Sequence, residues 1–141
     1  MSTSGSKPQN VTFTKQFIAK DTVVFTKGVG VVVDAVASNG DVTVDVAAAG
    51  EQTIGIANEA VTGDATLKVE VALLCGGGTM RVKASGTCTA GAHAAAGTDG
   101  FENQTFGGGT TVAYGAGQFL QSGVDGDYLE MALGSFASVK A

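Results

Sequence analysis

The residues whose types could do chemistry in this chain are few and scattered. His93 is the single histidine. Its setting, "GAHAAAG", supplies neither the carboxylate nor the thiol that a general base or metal ligand needs beside it, so it reads as a structural or exposed side chain. Cys75 and Cys88 have no basic or histidine neighbour close in sequence to lower a thiol pKa, and both read as idle thiols. The acidic run "DGDYLE", from Asp125 to Glu130, sets two carboxylates around a glycine, which suits a hard cation. A twelve-residue calcium loop beginning at Asp125 would, however, need an acid at Phe136, so an exposed turn is expected instead. "GVG" at 28–30 and "GAG" at 115–117 begin like dinucleotide fingerprints. Val33 and Leu120 stand where the third glycine belongs, and no long helix follows either one. No phosphate-binding Gly-Lys-Ser/Thr and no nucleophile elbow occurs. Asn10-Val11-Thr12 and Asn103-Gln104-Thr105 match the glycosylation sequon but lack a secretion signal to give it meaning. The expectation is a protein without catalytic residues, cofactor or metal, and not an enzyme.

The elements that would have to position any site are strands. The 141 residues include 22 Gly and one Pro, no Trp, and only 15% charged residues. Such a mixture, rich in Val and Thr and poor in helix formers, points to an all-β protein. From Val11 onward "VTFT", "TVVFT", "GVGVVVDAV" and "VTVDV" alternate or run apolar, and Asn39-Gly40 between the last two predicts a hairpin. "IGIANEAVTGDATLKVEVAL" at 54–73 is echoed by "YGAGQFLQSGVDGDYLEMAL" at 114–133. At an offset of sixty, Gly55 aligns with Gly115, Gly63 with Gly123, Glu70 with Glu130, and Ala72-Leu73 with Ala132-Leu133. "FTKG" at 25–28 matches "CTAG" at 88–91 after a further shift of three.

These matches predict two related β modules, about 20–74 and 79–134, within one domain at 11–141. Two copies are too few for a solenoid, so a compact barrel or sandwich with one shared core is expected. The period of two turns Leu67, Val69, Val71 and Leu73 inward together with Leu129, Met131 and Leu133, and Lys68, Glu70 and Ala72 outward. Gly55 and Gly115, inside apolar runs, are expected at bends, bulges or close backbone contacts.

Charge is unevenly distributed. Residues 1–27 carry a net +3 and the remainder −8, giving −5 in all. Residues 1–10 lack apolar periodicity and read as a flexible N-terminal arm. An acidic body without clustered Lys/Arg and interleaved aromatics argues against nucleic acid as a partner. The polar start "MSTSGSKPQN" and the short apolar runs imply neither a signal peptide nor a membrane partner, so synthesis in a cytoplasm is expected, in keeping with two cysteines.

Taken together, the repeated phrase and the intervening "MRVKASGTCTAGAHAAAGTDG" resemble the small β-rich head decoration, or cement, proteins of tailed bacteriophages, over about residues 20–134. The resemblance implies a virion protein on the outer capsid surface. It implies a homotrimer that binds the major capsid protein and clamps neighbouring capsid subunits, with no catalytic residues to carry over. The sequence departs from that pattern at Val124, which follows Gly123 in place of Asp, and at the insert "FGGGTT", 106–111. Lys7, Lys15 and Lys20 of the basic lead are the expected contacts to acidic patches on the shell or on an adjacent subunit. The alternative is a carbohydrate-binding or adhesin-like β module, which would need exposed aromatic platforms; the chain has two Tyr and seven Phe.

Overall fold

The computed structural model describes residues 13–105 and 112–139, with the backbone alone for 112–113 and 135–139. The expected arm at 1–10 and the insert at 106–111 lie outside the described residues. The fold is all-β. Its first half contains β1 (Thr14–Ala19), β2 (Val24–Phe25), β3 (Gly30–Val36), β4 (Val42–Val46), β5 (Gly55–Ala57), β6 (Val61–Thr62) and β7 (Lys68–Leu73). A 3-10 turn, Leu74–Gly76, leads to β8 (Thr79–Lys83), β9 (His93–Gly97), β10 (Gly100–Asn103), β11 (Val112–Phe119) and β12 (Tyr128–Val139).

The first half closes into a five-stranded barrel in the order β1-β4-β3-β5-β7. Its neighbours are antiparallel except β1 and β4, which run parallel through Ile18↔Thr43 and Ala19↔Val44. Closure leaves no free sheet edge, which suits a Val-rich chain prone to edge pairing. The second half is a five-stranded sheet in the order β10-β9-β11-β12-β8, whose ends meet at the parallel bridge Ala84↔Phe101. Read from β4 round to β1, the barrel runs β4-β3-β5-β7-β1, so the two orders correspond position by position. The small ladder between β2 and β6, Phe25↔Val61, has its counterpart in the bridge Cys88↔Gly123.

Local chemistry accounts for the turns. The expected hairpin joins β3 to β4, but as a three-residue loop rather than a two-residue turn. The Gly40 N–H donates to the Ala37 carbonyl (2.9 Å) and the Ala37 N–H to that of Asp41 (2.8 Å). Gly40 alone takes the left-handed backbone, at φ +89. Asn39 instead accepts the Asp41 N–H on its side-chain oxygen at 3.0 Å, the way a short amide stabilises a type I turn followed by a glycine bulge.

Two hydrophobic cores replace the single shared core expected from the repeat. The barrel interior is filled by small residues around one ring: Ala19, Phe25, Val29, Val31, Val44, Ala57, Val69 and Val71. The second core holds Met80, Val82, Phe101, Phe119, Leu129, Met131 and Leu133, together with Ile56, Ala72 and Leu74 from the first half. Val69 and Val71 therefore do not lie beside Leu129, Met131 and Leu133. The alternation itself is sound, since those five are buried. Leu67, at the mouth of the barrel, is 49% exposed, and Ala72, expected to face outward into solvent, is fully buried. The cause is that β5 and β7 are covered on both faces, by barrel contents inside and by the second sheet outside.

The glycines refine the alignment of the two halves. Gly55 presses against the Ala72 carbonyl of β7, and a Cβ there would collide with it. The residue in the corresponding place against the Ala132 carbonyl is Gly117, not Gly115. Gly115 sits at a register shift, since β11 pairs Gly115↔Phe136 but Gly117↔Leu133. Gly117 pairs with Leu133, sixteen residues on, where Gly55 pairs with Leu73, eighteen residues on, so a connection two residues shorter displaces this strand by two relative to β5. The same displacement shows in the hydrogen bonds. The Glu70 N–H donates to Glu59 Oε1 (2.8 Å) and the Glu130 N–H to Gln121 Oε1 (2.9 Å). Asn58 and Leu120 likewise donate their N–H groups to the carbonyls of Glu70 and Glu130, both at 2.9 Å.

Candidate functional site

Three lysines were expected to form the contact, and they have different surroundings. Lys7 lies outside the described residues. Lys15 is on β1, directly across from Val71 and so on the barrel-lining face at its open end. Its ammonium stands 5.7 Å from the centre of the Phe17 ring, close enough for a cation–π attraction that leaves the charge in water. Lys20 follows β1 and reaches Asp34 Oδ1 at 3.1 Å and Asp45 Oδ2 at 3.4 Å. The hydrogen bond and charge of Asp34, then those of Asp45, hold its ammonium pKa above the ordinary lysine value. Lys20 thus ties the β1 exit to the β3–β4 hairpin, and its charge is already matched inside the molecule. Sequence spacing gave no sign of this, because Asp34 and Asp45 are brought to Lys20 only by barrel closure.

The other groups singled out from sequence are dispersed. His93 is exposed at the start of β9, where its carbonyl accepts the Gln104 N–H at 2.7 Å. Cys75 is exposed beside β7 and Cys88 is buried, both as free thiols. Burial, followed by the charge of Glu102, pushes the Cys88 thiol pKa up, the opposite of an activated nucleophile. Asp125 to Asp127 forms an exposed turn that leads into β12, and in it Asp127 Oδ2 accepts the Val124 N–H at 2.9 Å. Asp64 performs the matching task before β7, accepting from the Thr66 hydroxyl (2.7 Å) and the Leu67 N–H (2.8 Å). The Thr66 hydroxyl, then the backbone N–H groups of Leu67 and Thr66, keep its pKa below the usual carboxylate value. Among the described residues, no three His, Cys, Asp or Glu side chains come together in a way that could hold a metal ion.

What sequence reasoning missed is apolar surface. Phe13 is 68% and Val36 63% exposed. Val36 looks like a core residue in "VVVDAV", but a register shift between Val33 and Ala35 carries the hairpin past the barrel wall. The break in alternation at Asp34 is the signal that could have revealed it. Phe13 stacks on Gly76, where a Cβ would meet its ring. Beside it a cleft of about 260 Å³ is lined by Gln52, Thr53, Ile54, Leu73, Leu74 and Cys75. Its lining holds no acidic, basic or histidine side chain.

The class that the fold defines is therefore an all-β protein of two five-stranded sheets in matching order, one closed as a barrel. No family model matches the chain, and no curated protein matches it. Among solved structures, its fold is similar to the crystal structure of the head fiber gp8.5 N base in bacteriophage phi29, with a TM-score of 0.63 and 16% sequence identity. The likeness covers 86% of this chain and 92% of that one.

Proposed function

We propose that the protein is a structural component of a tailed-bacteriophage head that binds the outside of the shell and clamps neighbouring subunits of the major capsid protein. The observation that carries this reading is the likeness of fold, over nearly the whole of both chains, to a phage head fiber base. Its chemistry here is contact, not catalysis. The matching strand orders of the two halves support descent from one duplicated β module, and self-association with threefold symmetry would repeat that double module around a capsid position. Lys7 and Lys15 supply the positive charge for an acidic patch on the shell, and Lys20 contributes only by exchanging its intramolecular carboxylates for external ones. Such binding weakens with salt.

The same likeness favours a second reading, in which the chain is the seat of a fibre and binds the shell without reinforcing it. One experiment separates the two. Full-length protein and a form lacking residues 2–10 are added to undecorated capsids at two salt concentrations, and occupancy and the temperature of DNA release are measured. The clamp reading expects full-length protein to bind and raise the release temperature, with both effects reduced by the deletion. Binding with no change in release temperature favours the fibre seat. Absence of binding by either form overturns both, and a glycan array then tests the adhesin alternative.

A further inference from the structure

β11 and β12 run on together beyond the sheet that they belong to. β9 pairs with β11 only at Gly117 and Gln118, and β8 pairs with β12 only from Tyr128 to Ala132. The Leu133 N–H still finds the Gly78 carbonyl, at 2.9 Å. Past that point Val112↔Val139, Ala113↔Ser138, Tyr114↔Ala137 and Gly115↔Phe136 continue the ladder, and among the described residues no third strand flanks it. A Cβ placed on Gly134, at the base of this ribbon, would meet nothing within 4 Å. A two-stranded ribbon is marginally stable by itself in water, and its two edges present unpaired N–H and C=O groups that invite another strand.

The ribbon's composition says what kind of partner fits. Its pairing puts Val112, Tyr114, Ala137 and Val139 at positions of one face and Ala113, Gly115, Phe136 and Ser138 at positions of the other. Neither face carries a charge. No ionisable side chain except that of Tyr114 occurs from Asn103 to Val124 or from Met131 to Val139, in a chain whose net charge is −5. An oppositely charged partner would be met by charged residues. Where identical copies meet at a symmetry axis, a residue at the axis faces its own mate and a charge there would face its like, so an uncharged ribbon suits self-association about an axis.

We infer that the β11–β12 ribbon is the element through which copies of this chain associate, ribbon against ribbon. The inference depends on the head-protein reading only for where such an oligomer works. It is tested on the free protein without capsids, so either can fail while the other stands. Sedimentation of wild type and of the double variant Ala113→Asp, Ala137→Asp is compared, with far-UV circular dichroism to confirm the β fold. Wild type is expected to sediment as an oligomer, and the variant to weaken association by about tenfold or more as two negative charges per copy enter the contact. Hydrogen exchange on wild type alone provides a second measurement, independent of how the variant folds. The amides of 112–115 and 136–139 are expected to become more protected as protein concentration rises. Wild type that is a single chain at its highest soluble concentration, a variant that keeps the oligomer mass, or ribbon amides indifferent to concentration would each overturn the inference.

Discussion

The barrel and the second sheet follow one strand order yet solve the problem of a core differently. The barrel is sealed by a β1–β4 ladder and filled with Ala, Val and one Phe. The second sheet is drawn together by the single bridge Ala84↔Phe101 and filled with Phe101, Phe119, Leu129 and Met131. It also takes Ile56, Ala72 and Leu74 from the first half into its core. Full closure permits small contents because the wall itself excludes water. Partial closure needs bulkier side chains and a neighbouring surface to complete the burial. The barrel is thus the self-contained half, and the second sheet is the dependent one.

The sharpest way to break this comparison is at the two matched glycines. Gly117→Val drives a branched side chain into the Ala132 carbonyl from a backbone at φ +153, combining collision with strain, and is expected to cost about 4 kcal/mol or more. Gly55→Val meets the Ala72 carbonyl and Val71 without a left-handed φ. Because β5 serves both cores, it should disrupt both halves, whereas Gly117→Val should leave the barrel folded. Residue-resolved hydrogen exchange checks this. Barrel amides of β1, β3 and β4 that lose protection in Gly117→Val would show that the barrel depends on its neighbour after all.

Cavity variants probe the same asymmetry more gently. Met131→Ala and Val71→Ala each remove fully buried side chains and are expected to cost about 2 to 4 kcal/mol. Urea unfolding is the measurement. If the second sheet depends on the barrel, Val71→Ala lowers the midpoint for both halves and Met131→Ala chiefly for residues 79–133. Truncating Glu130, whose side chain reaches out of β12, should change the midpoint little, and a large loss there would put the inward register of β12 in error.

The smallest effect concerns the thiols. Cys88 stands where the barrel has Phe25, and burial raises its pKa. The unfolded chain therefore releases the thiol proton first as pH rises. Stability from this group is complete below the unfolded thiol value of about 8.5 and falls as pH climbs toward the folded value. The thermal midpoint of wild type should decline through that alkaline window, and Cys88→Ala should flatten the part of the decline due to this thiol. In the native protein Cys75 should react with a thiol reagent at once and Cys88 only on unfolding. Equal reactivity of the two would mean that the second core is more open than its packing implies.

The sequence by itself determined the all-β class, the inward set Val69, Val71, Leu129 and Met131, the turn at Asn39-Gly40, and the exposed turn at Asp125. Each depends on interactions a few residues long, alternation along a strand or the tolerance of glycine for a left-handed backbone, and such information is local. Only the tertiary structure decided that the repeated phrase fills two cores rather than one, that Ala72 faces the second sheet, and that Gly117 answers Gly55. It also decided that Lys20 is matched by Asp34 and Asp45. These are contacts between distant segments. A period of two names the faces of a strand but not what covers them, and a fixed offset of sixty cannot register a connection two residues shorter, which shifts one strand by two while leaving its neighbour in place.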